Sequence, residues 1–374
     1  MLTVVPVETK KQQKEFLDFP LKLYEGCPYF VPPLYGDEKK MFRSDYVYYD
    51  TCESAFFNAY RDGKMVGRIQ GILQKAHNEK TGEKRIRFTR FDSIDDQAVA
   101  DALFAAVENW GRSKGMDTVC GPLGFSDLER EGLLIEGFDE LSTFEEQYTY
   151  DYYPRLIEHC GYGKEVDWEE RKIYLPEKDD GTLEKMSKFI MDRYHLRFGE
   201  AKNKRDFIRR YGDAFFEMID KGYKDIYGTV PFTEGMRKML IDNFMLIIEL
   251  KYVGVILDEN DKVVMIGLLF PSLSKAIQPS KGKLTPAALV RVLRDIKRPR
   301  ILDLGLVAVD PEWANRGVAT VVSAHILKLL REEKSVEYCE TNLNLEDNRS
   351  IINMWKRFKA VQHKKRRAYV KHLL

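Results

Sequence analysis

Asn315-Arg316-Gly317 stands between an apolar run, Ile301–Val309, and a helical pattern that extends to Leu330. Asp310-Pro311 breaks the run between them. A strand that enters a helix through a glycine-containing turn leaves the first helical N–H groups without intrahelical partners. Those donors and the helix dipole suit a phosphate or pyrophosphate. The chemistry read from these residues is therefore the cradling of a nucleotide-type cofactor.

The chain that must hold this turn has 374 residues, enough for two domains. Lys+Arg number 60 and Asp+Glu 59, so no global field attracts nucleic acid, and any anion site is local. Cys27, Cys52, Cys120, Cys160 and Cys339 are scattered and show no paired spacing. This excludes a disulfide framework or zinc knuckle and fits a reducing cytoplasm. The N-terminal residues carry no signal-peptide pattern, and no apolar run is long enough to span a bilayer. The histidines have no ligand spacing, so no metal is expected.

Strands are expected at 2–7, 55–61, 65–73, 85–91 and 117–121, with amphipathic helices at 10–24 and 95–114. A long loop, 121–153, follows. It is rich in glycine, acids and tyrosine, and too long for a plain connector. A short helix at 154–160 and a strand at 172–175 complete the first half. A polar linker near 176–182 divides the chain into 1–176 and 177–374. The second half has helices near 205–223 and 233–244, strands near 246–257 and 263–270, and a helix near 285–293. Then come the strand Ile301–Val309, a helix over 313–330, a strand at 336–342, a helix at 350–358 and a last strand at 368–373. Hairpin, strand, loop, helix and strand recur in both halves, which reads as a duplication of fold.

Val307-Ala-Val-Asp-Pro-Glu-Trp-Ala-Asn-Arg-Gly-Val-Ala319, with Asn348 to Phe358 downstream, resembles the GCN5-related N-acyltransferase (GNAT) superfamily. The resemblance implies an α+β, three-layer (α/β) class: two tandem GNAT-like domains, each a mixed, mostly antiparallel sheet flanked by helices. It implies acetyl-CoA or a longer acyl-CoA as co-substrate. Leu306, Val307 and Val309 would line the acyl-pantetheine arm, Asn315, Arg316, Gly317, Val318 and Ala319 would hold the pyrophosphate, and Asn348 would open the second motif. Ala314 departs from the Arg or Gln usual at the head of that loop. In the first half the corresponding entry to a helix carries Asp92, Asp95 and Asp96 and no glycine, so that copy is expected to lack the cofactor site. Phe19-Pro20 to Tyr24, Val31 to Leu34 and Gly132 to Asp139 are similar to segments of bacterial tandem-GNAT proteins of unassigned substrate.

For an acyl transfer to an amine, the residues expected to act are Glu340 or Asp303 as base and Asn342 to orient the amine. Asn342 and Asn344 share a strand face, with capping of the next turn as the alternative. The usual helix tyrosine is replaced by Trp355 and Phe358, leaving Tyr338, Tyr369 or water as acid, or a thiolate that departs unprotonated. In the 121–153 loop, Glu129, Glu131, Glu136, Asp139 and Glu140 favour a cationic amine, and the tyrosines could wall an acyl tail. The basic residues from Lys356 to Lys371 could draw in a coenzyme phosphate or an anionic lipid surface, or form a solvated face. The acceptor expected is an amine of a small molecule or a lipid, with no nucleic acid as partner and membrane contact confined to the periphery. Two rival readings stay open: a non-catalytic CoA-binding scaffold, and a peptide-extending transferase that uses aminoacyl-tRNA.

Overall fold

The acidic segment from Glu165 to Lys172 and the basic segment from His363 to Lys371 lie side by side, although they close opposite halves of the chain. The computed structural model describes residues 1–373. Its strands in chain order are β1 (Leu2–Pro6), β2 (Cys52–Arg61), β3 (Lys64–Gln74), β4 (Arg85–Ser93), β5 (Thr118–Gly121), β6 (Leu133–Glu136) and β7 (Gly163–Tyr174). The second half supplies β8 (Arg197–Phe198), β9 (Val253–Leu257), β10 (Val263–Pro271), β11 (Ile301–Val309), β12 (Tyr338–Thr341), β13 (Asn344–Leu345) and β14 (Lys359–His372).

All belong to one sheet, in the order β1-β2-β3-β4-β5-β14-β7-β12-β11-β10-β9-β8, with β6 on β14 and β13 on β7. The pairs β4–β5 and β11–β12 are parallel, and the others are antiparallel. The halves exchange strands at the centre: β7 pairs with β12 of the second half, and β14 pairs with β5 of the first. The sheet thus crosses the sequence boundary at 176/177.

The exchange is held by charge. Arg366 Nε donates to Glu170 Oε1 at 2.6 Å, and Arg367 Nε to Asp167 Oδ1 at 2.8 Å. Lys364 Nζ lies 2.7 Å from both Glu170 Oε2 and Glu340 Oε1. Lys364 and Arg366 are fully buried. Such groups are tolerated in an interior only with partners of opposite charge. From Lys364 to Arg367 the basic tail is therefore not an anion-attracting surface: it belongs to the central strand of the sheet, which is much longer than the expected 368–373, whereas Lys356, Arg357 and Lys359 are exposed.

Helices cover both faces. Helix Gln97–Ser113 buries Val99, Leu103 and Val107 on the first-half strands, each contributing about 1.5–3 kcal/mol. Helix Ala319–Glu332 packs with helix Thr182–Arg193 on one face of the second half. Helices Lys204–Gly222 and Glu234–Ile247 cover the other. Val230 and Met236 reach across into the first half, beside Phe16 and Tyr48. No described helix is long and apolar enough to cross a membrane.

Candidate active site

β11 and β12 pair in register only from Ile301↔Tyr338 to Leu304↔Thr341. Beyond Leu304, β11 follows β10, whereas the chain after Thr341 turns away into β13 and helix Arg349–Trp355. The separation opens a gap beside Gly305. There the β10–β11 register slips, Leu268 facing Leu306 and Leu269 facing Leu304, so Gly305 is a bulge. A Cβ on Gly305 would stand 2.2 Å from the Phe270 ring. Only glycine lets the two strands pass at this distance.

The gap is part of a cavity of about 460 Å³ between the two halves. One wall is apolar, with Leu304, Leu306, Val307, Leu240, Phe244 and Ile247. Asn342, Asn344 and Asn348 lie along it. Asn348 Oδ1 caps the following helix by accepting from Ile351 N, and Asn344 Oδ1 accepts from Trp355 Nε1. Tyr223 also lines the cavity and donates its hydroxyl to the Val307 carbonyl at 2.9 Å. Burial, with the charge of Asp127, raises this phenol to about 12.

The opposite wall comes from the first half and is acidic. Glu38 is neutralised by Arg90, whose guanidinium donates to both carboxylate oxygens at 2.9 Å. Burial opposes ionisation of Glu38, but the Arg90 charge outweighs it and holds the carboxyl at about 2. Glu129, Glu131, Glu145 and Glu146 complete the wall. Burial raises all four. Glu145 reaches about 7 through burial alone. Glu146 reaches about 8, with Arg366 only partly offsetting the burial. The Glu145 carboxylate makes no hydrogen bond or ion pair among the described residues, and it is partly exposed to the cavity.

Of the residues expected to act, Leu306, Val307, Asn342 and Asn348 line this cavity. Asp303 and Glu340 do not. They lie opposite each other one register step back, where the strands are still paired, and are almost fully buried. Lys364 occupies Glu340, and His363 Nε2 lies 3.2 Å from it. Burial works against the ionisation of Glu340, yet Lys364 and His363 bring its carboxyl below the usual range. Both Asp303 oxygens lack a hydrogen bond, and burial and the Glu340 and Glu145 charges push its carboxyl well above the usual range. Glu170, Glu340 and His363 converge closely enough to hold a cation. The Lys364 ammonium already stands between the two glutamates.

Val309 ends β11, and Asn315 and Arg316 lie exposed in the 3₁₀ turn Pro311–Arg316. Arg316 rests 4.5 Å above the Trp313 ring. Gly317 has φ +76°, and Val318 and Ala319 open the next helix, which no side chain caps. These features suit a pyrophosphate: the turn needs glycine, the helix start is uncapped, and a cation is adjacent. In the first copy Asp96 accepts from Ala98 N and Val99 N. A carboxylate of the chain itself fills that helix start.

The tyrosine cluster does not wall the cavity. Tyr153 accepts from Tyr24 OH at 2.9 Å and from Ser93 N at 3.1 Å, and Tyr152 donates to Ser93 O. These rings fill the end of β4 in the first-half core. Tyr338 and Tyr369 also lie away from the cavity, and Glu140 is taken up by Lys172 at 2.7 Å. Glu145 and Glu146, two further acids of the same loop, do line the cavity, and nothing in the local sequence sets them apart from the other acids of that loop.

No protein-family model matches the chain. Protein YghO of Escherichia coli K12 is 27% identical over 97% of this chain and 94% of its own length. Bacterial ceramide synthase of Caulobacter vibrioides is 25% identical over 100% of this chain and 98% of its own. Among solved structures, a tandem GNAT protein from the clavulanic acid biosynthesis pathway superposes with a TM-score of 0.56 at 12% identity, covering 100% of this chain and 98% of that one. A probable N-acyltransferase of Enterococcus faecalis V583 superposes with a TM-score of 0.51 at 7% identity, over 100% of this chain and 73% of that one.

Proposed function

We propose that this chain, which carries the tandem GNAT fold, is an N-acyltransferase that moves an acyl group from coenzyme A to the amine of a lipid. One observation carries the reading. The Glu145 carboxyl, which has no hydrogen-bond or ion-pair partner among the described residues, lines the cavity where β11 leaves β12, and burial raises it to about 7. The similarity to a protein named for ceramide synthesis supports a lipid amine as acceptor. The largely apolar cavity wall supports it as well.

Asn315, Arg316, Gly317, Val318 and Ala319 would hold the pyrophosphate, and Leu306 and Val307 the arm that leads to the gap. The bound co-substrate supplies an activated thioester carbonyl. The first copy, with Asp96 on its helix start and tyrosines at the end of β4, binds no coenzyme and instead supplies the acidic wall. An amine enters as its ammonium and meets Glu145, which is partly ionised near pH 7. Glu145 then accepts the proton, leaving the nitrogen lone pair free. A base with a pKa near the working pH is partly ionised and still basic enough to do this. The freed amine would bond to the acyl carbon as the carbon–sulfur bond breaks, and Tyr223, the tyrosine that lines the cavity among the described residues, is assigned as proton donor to the leaving coenzyme A thiolate.

The direct test offers palmitoyl-CoA or acetyl-CoA with a long-chain amino alcohol or a small polar amine, and measures thiol release and product mass. Amide formation with the long-chain amine is the expected result. No thiol release from any pair, with the protein folded, would refute the proposal.

A further inference from the structure

We propose that helix Pro286–Lys297 and the loop before it form a docking surface for an anionic lipid bilayer. The helix starts cleanly: Thr285 accepts from Ala288 N, and Pro286 takes the first turn. Its inward stripe is Ala288, Val292 and Ile296, spaced by four; Ala288 is buried, and Val292 and Ile296 pack against the cluster of Val31, Leu273 and Ile277. That stripe accounts for its attachment to the fold. A second apolar stripe points outward. Leu289, Val290 and Leu293 are 44%, 68% and 64% exposed, and Leu284 just before the helix is 54% exposed. A surface helix normally keeps its outer face polar. Here the outer face is apolar and exposed, with no partner among the described residues.

The rim of this stripe is basic. Residues 274–300 contain eight Lys and Arg and one acid, Asp295, in a chain whose net charge is only +1. Some of these cations are engaged. Lys281 pairs with Glu25 at 2.8 Å, Arg300 with Glu337 at 2.8 Å, and Arg291 donates to the Ala276 carbonyl. Lys275, Lys283, Arg294, Lys297 and Arg298 remain exposed, and Arg294 is balanced only by its neighbour Asp295. Apolar side chains between flexible cations match a bilayer interface: the chains enter the acyl boundary and the cations meet anionic headgroups. An acidic protein partner would satisfy the rim but would not require the apolar stripe.

The location gives the surface a use, and this clause rests on the lipid-amine reading above. Leu34, Phe144 and Ile247 pack in the same apolar cluster as Val292 and Ile296, and all three line the cavity. One layer of side chains separates the docking helix from the acceptor site.

Flotation of the full chain with phosphatidylcholine vesicles, with and without phosphatidylglycerol, tests the docking without reference to turnover. Binding is expected to the anionic vesicles only and to weaken as salt rises. Leu289→Ser with Leu293→Ser should reduce it at least tenfold. So should Lys297→Glu with Arg298→Glu, because each interfacial cation contributes about fivefold. Both pairs are exposed, so the melting temperature should hold, and turnover of a water-soluble amine should be unaltered. Equal binding to neutral vesicles, or unreduced binding in both variants, overturns the proposal. A concentration-dependent dimer that the leucine variant abolishes, without vesicle binding, would assign the face to a second copy and also overturn it. Vesicle binding by a protein that releases no thiol would uphold the docking and refute the proposed chemistry alone.

Discussion

Glu145→Gln tests the proposed chemistry most sharply. Burial raises this carboxyl from 4.5 to about 7, which makes it roughly 300-fold more basic than an ordinary glutamate. Below pH 7 it is mostly protonated and cannot accept from an ammonium. The rate at low substrate should therefore rise about tenfold per pH unit up to roughly pH 7, then level. Glutamine keeps the shape and removes the base. General-base catalysis is worth about 10²–10⁴-fold, so kcat should fall at least about 100-fold, or roughly 2.7 kcal/mol of barrier. The KM for acyl-CoA should be nearly unchanged, because Glu145 lies on the wall opposite β11. The limb near pH 7 should disappear from what activity remains. The assay is steady-state thiol release between pH 5.5 and 9, with the acceptor varied at each pH. A fall of less than threefold, or a surviving limb at the same pH, would refute the assignment of Glu145 as base.

Glu146→Gln is expected to stabilise. Its folded pKa of about 8 lies above the ordinary 4.5, so burial of this group costs stability once pH exceeds 4.5, and the cost stops growing above about 8. The variant should melt roughly 5 °C higher at pH 8, reflecting on the order of 4 kcal/mol, and the difference should vanish towards pH 4.5; equal melting at pH 8 would count against the burial argument. Lys364→Met leaves Glu170 and Glu340 buried without their shared cation and should cost about 3–5 kcal/mol in urea unfolding. Gly317→Ala forces a Cβ into a φ of +76° and to 3.1 Å from Ile190 Cδ1. It should raise the dissociation constant for coenzyme A at least several-fold in titration calorimetry, with about 1 kcal/mol lost in stability.

Elements with local periodicity were legible in the sequence. Ile301–Val309 was expected and is found with both ends unchanged, and the helices beginning near Gln97 and Lys204 lie within two residues of expectation. The exchanged strands were not legible. In β7 only the last few residues were anticipated, and in β14 only the last few. Runs such as Glu169-Glu170 and Lys364-Lys365-Arg366-Arg367 look like solvated surface when each strand is taken alone. They are interior because each strand is the other's counter-charge, and pairing so distant in sequence leaves no mark in a local window. Helix Thr182–Arg193 is not legible for a different reason: it begins inside a polar stretch and buries only Leu183 and Ile190. At the site, the glycine turn was legible because its geometry is local. Glu145 was not, since its loop belongs to one half and the strand gap it faces to the other.

The two halves share a fold and differ at corresponding places. Each has a bulge where the strand leaves its parallel neighbour: Gly305 opposite Leu268–Leu269, and Arg90 where β4 slips against Arg68–Gln70. At Gly305 the absent side chain leaves the gap open. At Arg90 the backbone takes φ +47°, and the side chain reaches the shared cavity to bind Glu38. The same kink thus opens a gap in one copy and aims a cation in the other. Behind Arg90, Asp96 caps the helix start and the Tyr24–Tyr153 pair occupies the end of β4, whereas behind Gly305 the helix start is uncapped. On the proposed reading, a copy whose own carboxylate fills its helix start is free to become a wall of the other copy's site. The strand exchange then fixes the distance between them, because β7 and β14 tie both halves into one sheet. The acids of 121–153 are consequently held opposite β11 by the sheet itself, not by a mobile interface between domains.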